Sequence, residues 1–205
     1  MALAKKYRRF IKEQEVDLAD LCYSAARRRS LFDHRVTIVT TSLDELNKSL
    51  ALYIKNENSP NIFTGKLKQL PASPVSFVFS GQGPQWYAMG RELLAENEIF
   101  KNVINKINDL LLPLSKWSLL EELQKTEATS KISDTRIAQP AIMAVQIGVA
   151  EIWKSLGVQP AAVVGHSIGE VAAAYMAGSL SLEQAVAVIY HRSKSQDKAT
   201  GKGKM

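Results

Sequence analysis

The segment Ala161-Ala-Val-Val-Gly-His-Ser-Ile-Gly-Glu170 constrains this chain more than any other. An apolar run with strand character enters Gly165-His166-Ser167-Ile168-Gly169, and a helical pattern follows without a spacer. Strand, Gly-x-Ser-x-Gly and helix in that order describe a nucleophile elbow. Glycines two residues before and two after the serine remove side chains that would collide in so sharp a turn. The turn holds Ser167 in a strained backbone with its hydroxyl presented. The start of the next helix aims N–H groups and a dipole at negative charge developing beside it. The pentapeptide alone is common. Its place between a strand and a helix makes Ser167 a candidate nucleophile rather than a turn filler.

A second strand and loop accompany it. Pro74-Val-Ser-Phe-Val-Phe-Ser80 reads as a buried strand with proline only at its start. It ends in Gly81-Gln-Gly-Pro-Gln85, and Trp86-Tyr-Ala-Met-Gly-Arg-Glu-Leu-Leu94 reads as helix. A loop at the C-terminal end of such a strand presents backbone N–H groups above the sheet. Taken alone it is a flexible turn; paired with the elbow it becomes a candidate second oxyanion donor. The expected fold class is α/β, a parallel sheet flanked by helices with strands near 75–80 and 161–166.

Four motifs in order carry a family resemblance: Phe79-Ser-Gly-Gln-Gly-Pro-Gln85, Thr135-Arg-Ile-Ala-Gln-Pro-Ala141, Gly165-His-Ser-Ile-Gly-Glu170 and Tyr190-His-Arg-Ser193. From Pro74 to the last residue the chain resembles acyltransferase domains of the malonyl-CoA:acyl carrier protein transacylase family. The form it resembles is the one embedded in modular polyketide synthases and animal-type fatty acid synthases. Upstream, Asp17 to Ser30 and His34-Arg-Val-Thr-Ile-Val-Thr40 are similar to the small α/β linker between ketosynthase and acyltransferase domains. Two domains are therefore expected. Residues 1–73 would form the linker-like unit and connector, with Asn56 to Ser73 as the connector. Residues 74–205 would form the N-terminal part of an acyltransferase domain.

The resemblance implies roles residue by residue. Ser167 would take the acyl group from coenzyme A. Ile168 and Gln82 would donate the two backbone N–H groups of the oxyanion hole. Arg192 would pair with the free carboxylate of a malonyl-type group; a guanidinium fork suits a carboxylate, while the plain alternative is a solvated arginine on a basic helix. Gln139 would lie near the acyl site or simply fill a helix start before Pro140. His166 would be structural, because adjacent side chains at an elbow diverge. An aliphatic Ile168 favours malonyl over methylmalonyl. Acyl-CoA would be the substrate and no cofactor would bind tightly. The expected partners are an acyl carrier protein, through its phosphopantetheine, and a ketosynthase domain.

One departure matters. The family's basic histidine lies far downstream of its elbow, beyond Met205 here, and neither His34, His166 nor His191 matches it. A serine without a base is a poor nucleophile. The expectation is thus an N-terminal portion of such a domain, lacking the small ferredoxin-like subdomain whose entry Gly201-Lys-Gly-Lys-Met205 matches. The alternatives are an inactive remnant or docking fragment, and a serine esterase or thioesterase. The latter would need an Asp followed by a His after Ser167. Asp197 is present, but His191 precedes it.

Composition sets the remaining bounds. Hydrophobic residues make up 46% of the 205 residues, enough for a core, and no apolar run reaches membrane-spanning length. The start Met-Ala-Leu-Ala-Lys-Lys lacks a signal-peptide core, which with the single Cys22 points to the cytoplasm. Cys22 is expected to be inert packing. The net charge of +6 gathers at Lys5 to Lys12 and Lys194 to Lys204. No nucleic-acid-binding motif accompanies it, so neither nucleic acid nor membrane is expected as partner. The bland reading is a solvated surface that suits an acidic carrier. Capping boxes open helices at Ser42, Ser118 and Ser181. Glu98 to Leu112 and Ala138 to about Leu156 are helical, the first ending before Pro113 and the second packing beneath the elbow strand. Trp86, Trp117 and Trp153 are expected in the core, and Glu121 and Glu122 on a helix surface.

Overall fold

The computed structural model describes residues 1–67 and 74–198. The chain divides into two compact units, Met1–Ala72 and Ser73–Met205. The motif at 201–205 and the end of the connector lie outside the described residues.

In the first unit, helices α1 (Ala2–Glu13) and α2 (Leu18–Arg27) precede strand β1 (His34–Ile38), helix α3 (Leu43–Lys55) and strand β2 (Ile62–Lys66). β1 and β2 pair antiparallel, His34 opposite Lys66 and Ile38 opposite Ile62. β2 falls where the sequence predicts only a connector. Gly65 and the exposed Phe63 blur its alternation, and pairing with β1 supplies what local propensity does not. Ser42 caps α3 by accepting from the Glu45 N–H at 3.2 Å. The return half of the predicted box is displaced by one residue, since the Glu45 carboxylate accepts from the Thr41 N–H at 2.8 Å. α1 packs against α3, Ala4 is its one buried residue, and Arg8 Nε donates to Asn47 Oδ1 at 3.0 Å. Cys22 is exposed, because the buried stripe of α2 runs through Leu21 instead. The expectation that Cys22 is packing fails there.

The second unit is α/β. Strands β3 (Ser76–Phe79) and β4 (Ala162–Gly165) form a parallel pair, with Phe77 beside Val163 and Val78 beside Val164. The connection holds helices α4 (Arg91–Glu96), α5 (Glu98–Ser115), α6 (Leu119–Gln124) and α7 (Thr135–Ser155). Helices α8 (Gly169–Met176) and α9 (Leu182–Asp197) follow the elbow. Alternation along the strands separates two faces. Phe77, Phe79 and Val163 meet the core, whereas Val78 is 75% and Val164 55% exposed. β3 is therefore half-buried, not buried throughout. The helix lying on the pair is α8; α7 packs mainly with α5 and α9 rather than beneath the elbow strand.

Several helix boundaries differ from the pattern. α4 starts only at Arg91, because Ala88 and Gly90 adopt left-handed φ values of 68° and 75°. Tyr87 to Gly90 forms turns instead of helix. α5 runs through Pro113 to Ser115; the proline falls in the last turn, and Lys116 closes the helix in the left-handed region. α7 contains Pro140 within its first two turns, after an Asp134 cap that accepts from the Arg136 N–H at 3.0 Å. α7 and its neighbours α5 and α9 carry the core: Phe100, Ile104, Ile107, Met143, Ile147 and Ile189 are fully enclosed. Each such side chain contributes about 1.5–3 kcal/mol relative to exposure. Trp86 is 61% and Trp153 51% exposed, so only Trp117 packs against the core as expected.

Glu122 also departs from its expected surface place. It is 4% exposed and accepts from Lys125 Nζ at 2.8 Å, Ser130 Oγ at 2.9 Å and the Lys131 N–H at 2.6 Å. Burial pushes its pKa up, but these donors outweigh burial and hold it below the ordinary glutamate value. The carboxylate pins the 125–131 loop to α6. Glu121 is exposed, as expected.

Candidate active site

β4 delivers the chain into the elbow. Ser167 has φ 55°, a region that residues with a Cβ avoid, and Ile168 returns at once to φ −62°. The turn is held by three backbone bonds: the His166 N–H to Phe79 O at 2.9 Å, the Gly169 N–H to His166 O at 2.9 Å, and the Glu170 N–H to Ser167 O at 3.2 Å. Both flanking glycines are sterically required. A Cβ on Gly169 would meet the Phe79 carbonyl, and one on Gly165 would meet the Gly169 backbone and the Glu170 nitrogen. The fully buried Ile168 side chain anchors the start of α8.

The Ser167 hydroxyl accepts from Arg192 Nη2 at 2.9 Å. Arg192 stands on α9, whose start is fixed by a complete capping box between Ser181 and Gln184. Its Nη1 donates to Gln139 Oε1 at 2.8 Å and to Gln196 Oε1 at 2.9 Å. Gln139, fully enclosed on α7, donates from Nε2 to Gln196 Oε1 at 2.7 Å and to Gln82 Oε1 at 3.0 Å. Gln82 Nε2 in turn donates to Thr135 Oγ1 at 3.3 Å. The strand loop, α7, α9 and the elbow thus meet in one hydrogen-bonded chain around the serine. Ser167, Arg192, Gln139 and Gln82 belong to it, as does Gln196, which sequence reasoning missed. Its only signal is the i,i+4 spacing from Arg192.

The backbone N–H groups of Ile168 and Gln82 have no hydrogen-bond acceptor among the described residues. An unengaged N–H beside the serine and another in a loop tied to the same network are the parts an oxyanion site needs. The loop is steadied by Gln146 Nε2, which donates to Ser80 O at 2.8 Å. His166 is exposed, and its ring lies so close to Gly81 that a Cβ there would come 2.7 Å from Nδ1. His191 is exposed and sits edge-to-face with Tyr190, ring centres 5.0 Å apart. Among the described residues no imidazole bonds Ser167. Asp197 pairs with Arg136 at 3.3 Å.

A separate cavity of about 370 Å³ opens between α6, α7 and α9, bordered by Glu122, Lys125, Asp134, Arg136 and Tyr190 but not by Ser167. No cluster of three or more metal-ligand side chains occurs among the described residues. Nor is any described helix long and apolar enough to cross a membrane.

A parallel α/β fold with a serine at a strained strand–helix turn defines a class built for acyl chemistry on a hydroxyl. Residues 76–205 match the family model described as acyl transferase domain, and residues 1–50 match the one described as CurL-like, PKS C-terminal. The polyketide synthase GfsB of Streptomyces halstedii is 40% identical over 188 residues, covering 92% of this chain and 3% of that protein. Erythronolide synthase EryA2 of Saccharopolyspora erythraea is 31% identical over 204 residues, covering 100% of this chain and 6% of that protein. Among solved structures, the acyltransferase domain from module 8 of the salinomycin polyketide synthase superposes with a TM-score of 0.82 at 32% identity. It covers 96% of this chain and 47% of that one. The acyltransferase domain of SpnD, in complex with 2-(pent-4-yn-1-yl)malonyl, gives 0.74 at 26% identity, covering 94% and 45%. The chain belongs to the acyltransferase domain family of polyketide synthases, and it spans under half the length of these solved relatives and a small fraction of the curated synthases.

Proposed function

We propose that residues 74–205 serve the transfer of a malonyl-type acyl group from coenzyme A, through an ester on Ser167, to the phosphopantetheine thiol of an acyl carrier protein. The observation that carries this reading is the 2.9 Å contact between Arg192 Nη2 and Ser167 Oγ, which sets a carboxylate-binding group directly beside a candidate nucleophile. In the first half-reaction a base takes the Ser167 proton and Oγ attacks the thioester carbonyl. The Ile168 and Gln82 N–H groups stabilise the oxyanion, and the coenzyme A thiol departs with the proton. The carrier thiol then attacks the ester in the reverse sense and regenerates the hydroxyl. Arg192 pairs with the free carboxylate, which acetyl lacks; a bidentate guanidinium–carboxylate pair supplies the selectivity. The malonyl-type ligand of the SpnD domain supports that choice of acyl group.

The base is proposed to come from outside the described residues, since Ser167 bonds Arg192 rather than an imidazole. That same contact favours the second reading, an inactive remnant or docking fragment, when the 205 residues act alone. An esterase reading is weaker, because Asp197 pairs with Arg136 instead of a histidine. The first unit is proposed to be the linker to a ketosynthase domain, supported by the match over residues 1–50. The reaction is proposed to take place in the cytoplasm, with the carrier protein and the ketosynthase domain as partners. Competition between malonyl-CoA and acetyl-CoA, read as acyl-protein mass, tests the reading. Wild type is expected to prefer malonyl and Arg192→Ala to lose that preference; a preference unchanged by Arg192→Ala contradicts it.

A further inference from the structure

Arg192 carries five N–H donors, and their present partners determine which edge of the guanidinium remains for a ligand. Both Nη1 hydrogens are engaged, by Gln139 Oε1 at 2.8 Å and Gln196 Oε1 at 2.9 Å. Nη2 bonds Ser167 Oγ at 2.9 Å, and Nε–H has no acceptor among the described residues. Nε and Nη2 share one edge of the guanidinium plane. A carboxylate that binds with both oxygens therefore has only that edge, the one at the serine.

We propose that Gln196 is a positioning residue that turns the Nε/Nη2 edge of Arg192 toward the substrate carboxylate; the proposal rests on the reading of Ser167 and Arg192 above. Gln196 lies one helical turn beyond Arg192 on the same face of α9. Its Oε1 accepts twice, from Arg192 Nη1 and from Gln139 Nε2, so it locks the arginine to the fully buried glutamine. The chemistry of the acceptors matters as much as their position. Arg136, nearby in the fold, is paired with two carboxylates, Asp134 and Asp197, each at 3.3 Å. Arg192 instead has only amide and hydroxyl oxygens as partners among the described residues. Neutral oxygens fix the guanidinium plane without cancelling its charge, which stays available to an incoming anion. When that anion arrives, Nη2 exchanges the serine oxygen for a carboxylate oxygen, and the hydroxyl is released toward the base.

The test is calorimetric titration of the full chain with a malonyl-CoA analogue in which CH₂ replaces the thioester sulfur, against the matching acetyl analogue. The readout is the ratio of the two affinities, which needs no turnover. Wild type is expected to favour the malonyl analogue. In Gln196→Met the ratio is expected to fall about tenfold, the effect of one hydrogen bond to a charged group. In Gln196→Glu it is expected to fall further, because a carboxylate then neutralises Arg192 from the Nη1 side. Gln196→Glu keeps the acceptor oxygen and the shape, so it remains informative even where Gln196→Met fails to fold. A ratio unchanged in folded variants overturns the role of Gln196 and leaves the assignment of Ser167 and Arg192 standing. A wild type that binds both analogues equally overturns the carboxylate reading of Arg192, and this proposal with it.

Discussion

At the residue scale, the candidate site is a serine in a forced backbone and an arginine held by two glutamines, Gln139 and Gln196, the first of which is tied in turn to Gln82. The glycines around Ser167 were legible because a Gly-x-Ser-x-Gly turn leaves no room for a Cβ, and the backbone clashes found at Gly165 and Gly169 have that origin. Gly169→Ala is accordingly expected to lower stability by about 3 kcal/mol or more, since the obstacle is the Phe79 carbonyl rather than a movable side chain. Urea denaturation of the variant checks this; a midpoint within error of wild type would refute it. Gln139→Leu leaves Arg192 Nη1, Gln82 Oε1 and Gln196 Oε1 each short of a partner, and a loss of about 1–3 kcal/mol is expected in the same assay. Arg192 was legible only through the family resemblance, because an arginine on a basic helix carries no local mark of a site. Gln196 was illegible, because its role depends on α7 and α9 meeting, which neither helix pattern specifies.

At the element scale, Ser42, Ser118 and Ser181 all cap their helices as expected, but only the Ser181 box closes, and tertiary pairing was read poorly. The Ser181–Gln184 box exists as written, with both its bonds in place. β2 was missed because its stability comes from β1, and the helix expected at Trp86 was displaced by the left-handed Ala88 and Gly90. Glu122 looked like helix surface, yet its partners Ser130 and Lys131 come from the following loop, a contact that periodicity does not encode. Its folded pKa is depressed, so its stabilising contribution is present above the unfolded value, about 4.3, and is lost as pH falls through the folded one. The stability difference between wild type and Glu122→Gln is therefore expected to be roughly constant above pH 5 and to shrink below about pH 4.3. Denaturation across pH 3–7, a range set by that reference value, decides it. A difference that does not change with pH would show that the carboxylate charge is irrelevant.

At the scale of the molecule, the fold class follows from the strand–loop and strand–elbow patterns, and the two-unit division appears in the contacts themselves. The exposed face of the β3–β4 pair was not foreseen, because an apolar strand reads as buried whether one or both of its faces are covered. Val78 and Val164, side by side on that face, make a patch that should bind an apolar dye in the folded 205-residue chain. Changing both to Asn is expected to reduce the fluorescence with little change in helicity; equal fluorescence would locate the dye elsewhere. The central claim concerns what the molecule does with Ser167. Intact-protein mass spectrometry after incubation of the folded chain with malonyl-CoA tests it most directly, with wild type and Ser167→Ala. The account predicts a malonyl adduct on wild type that Ser167→Ala abolishes. An adduct that survives Ser167→Ala, or none on folded wild type, would contradict it.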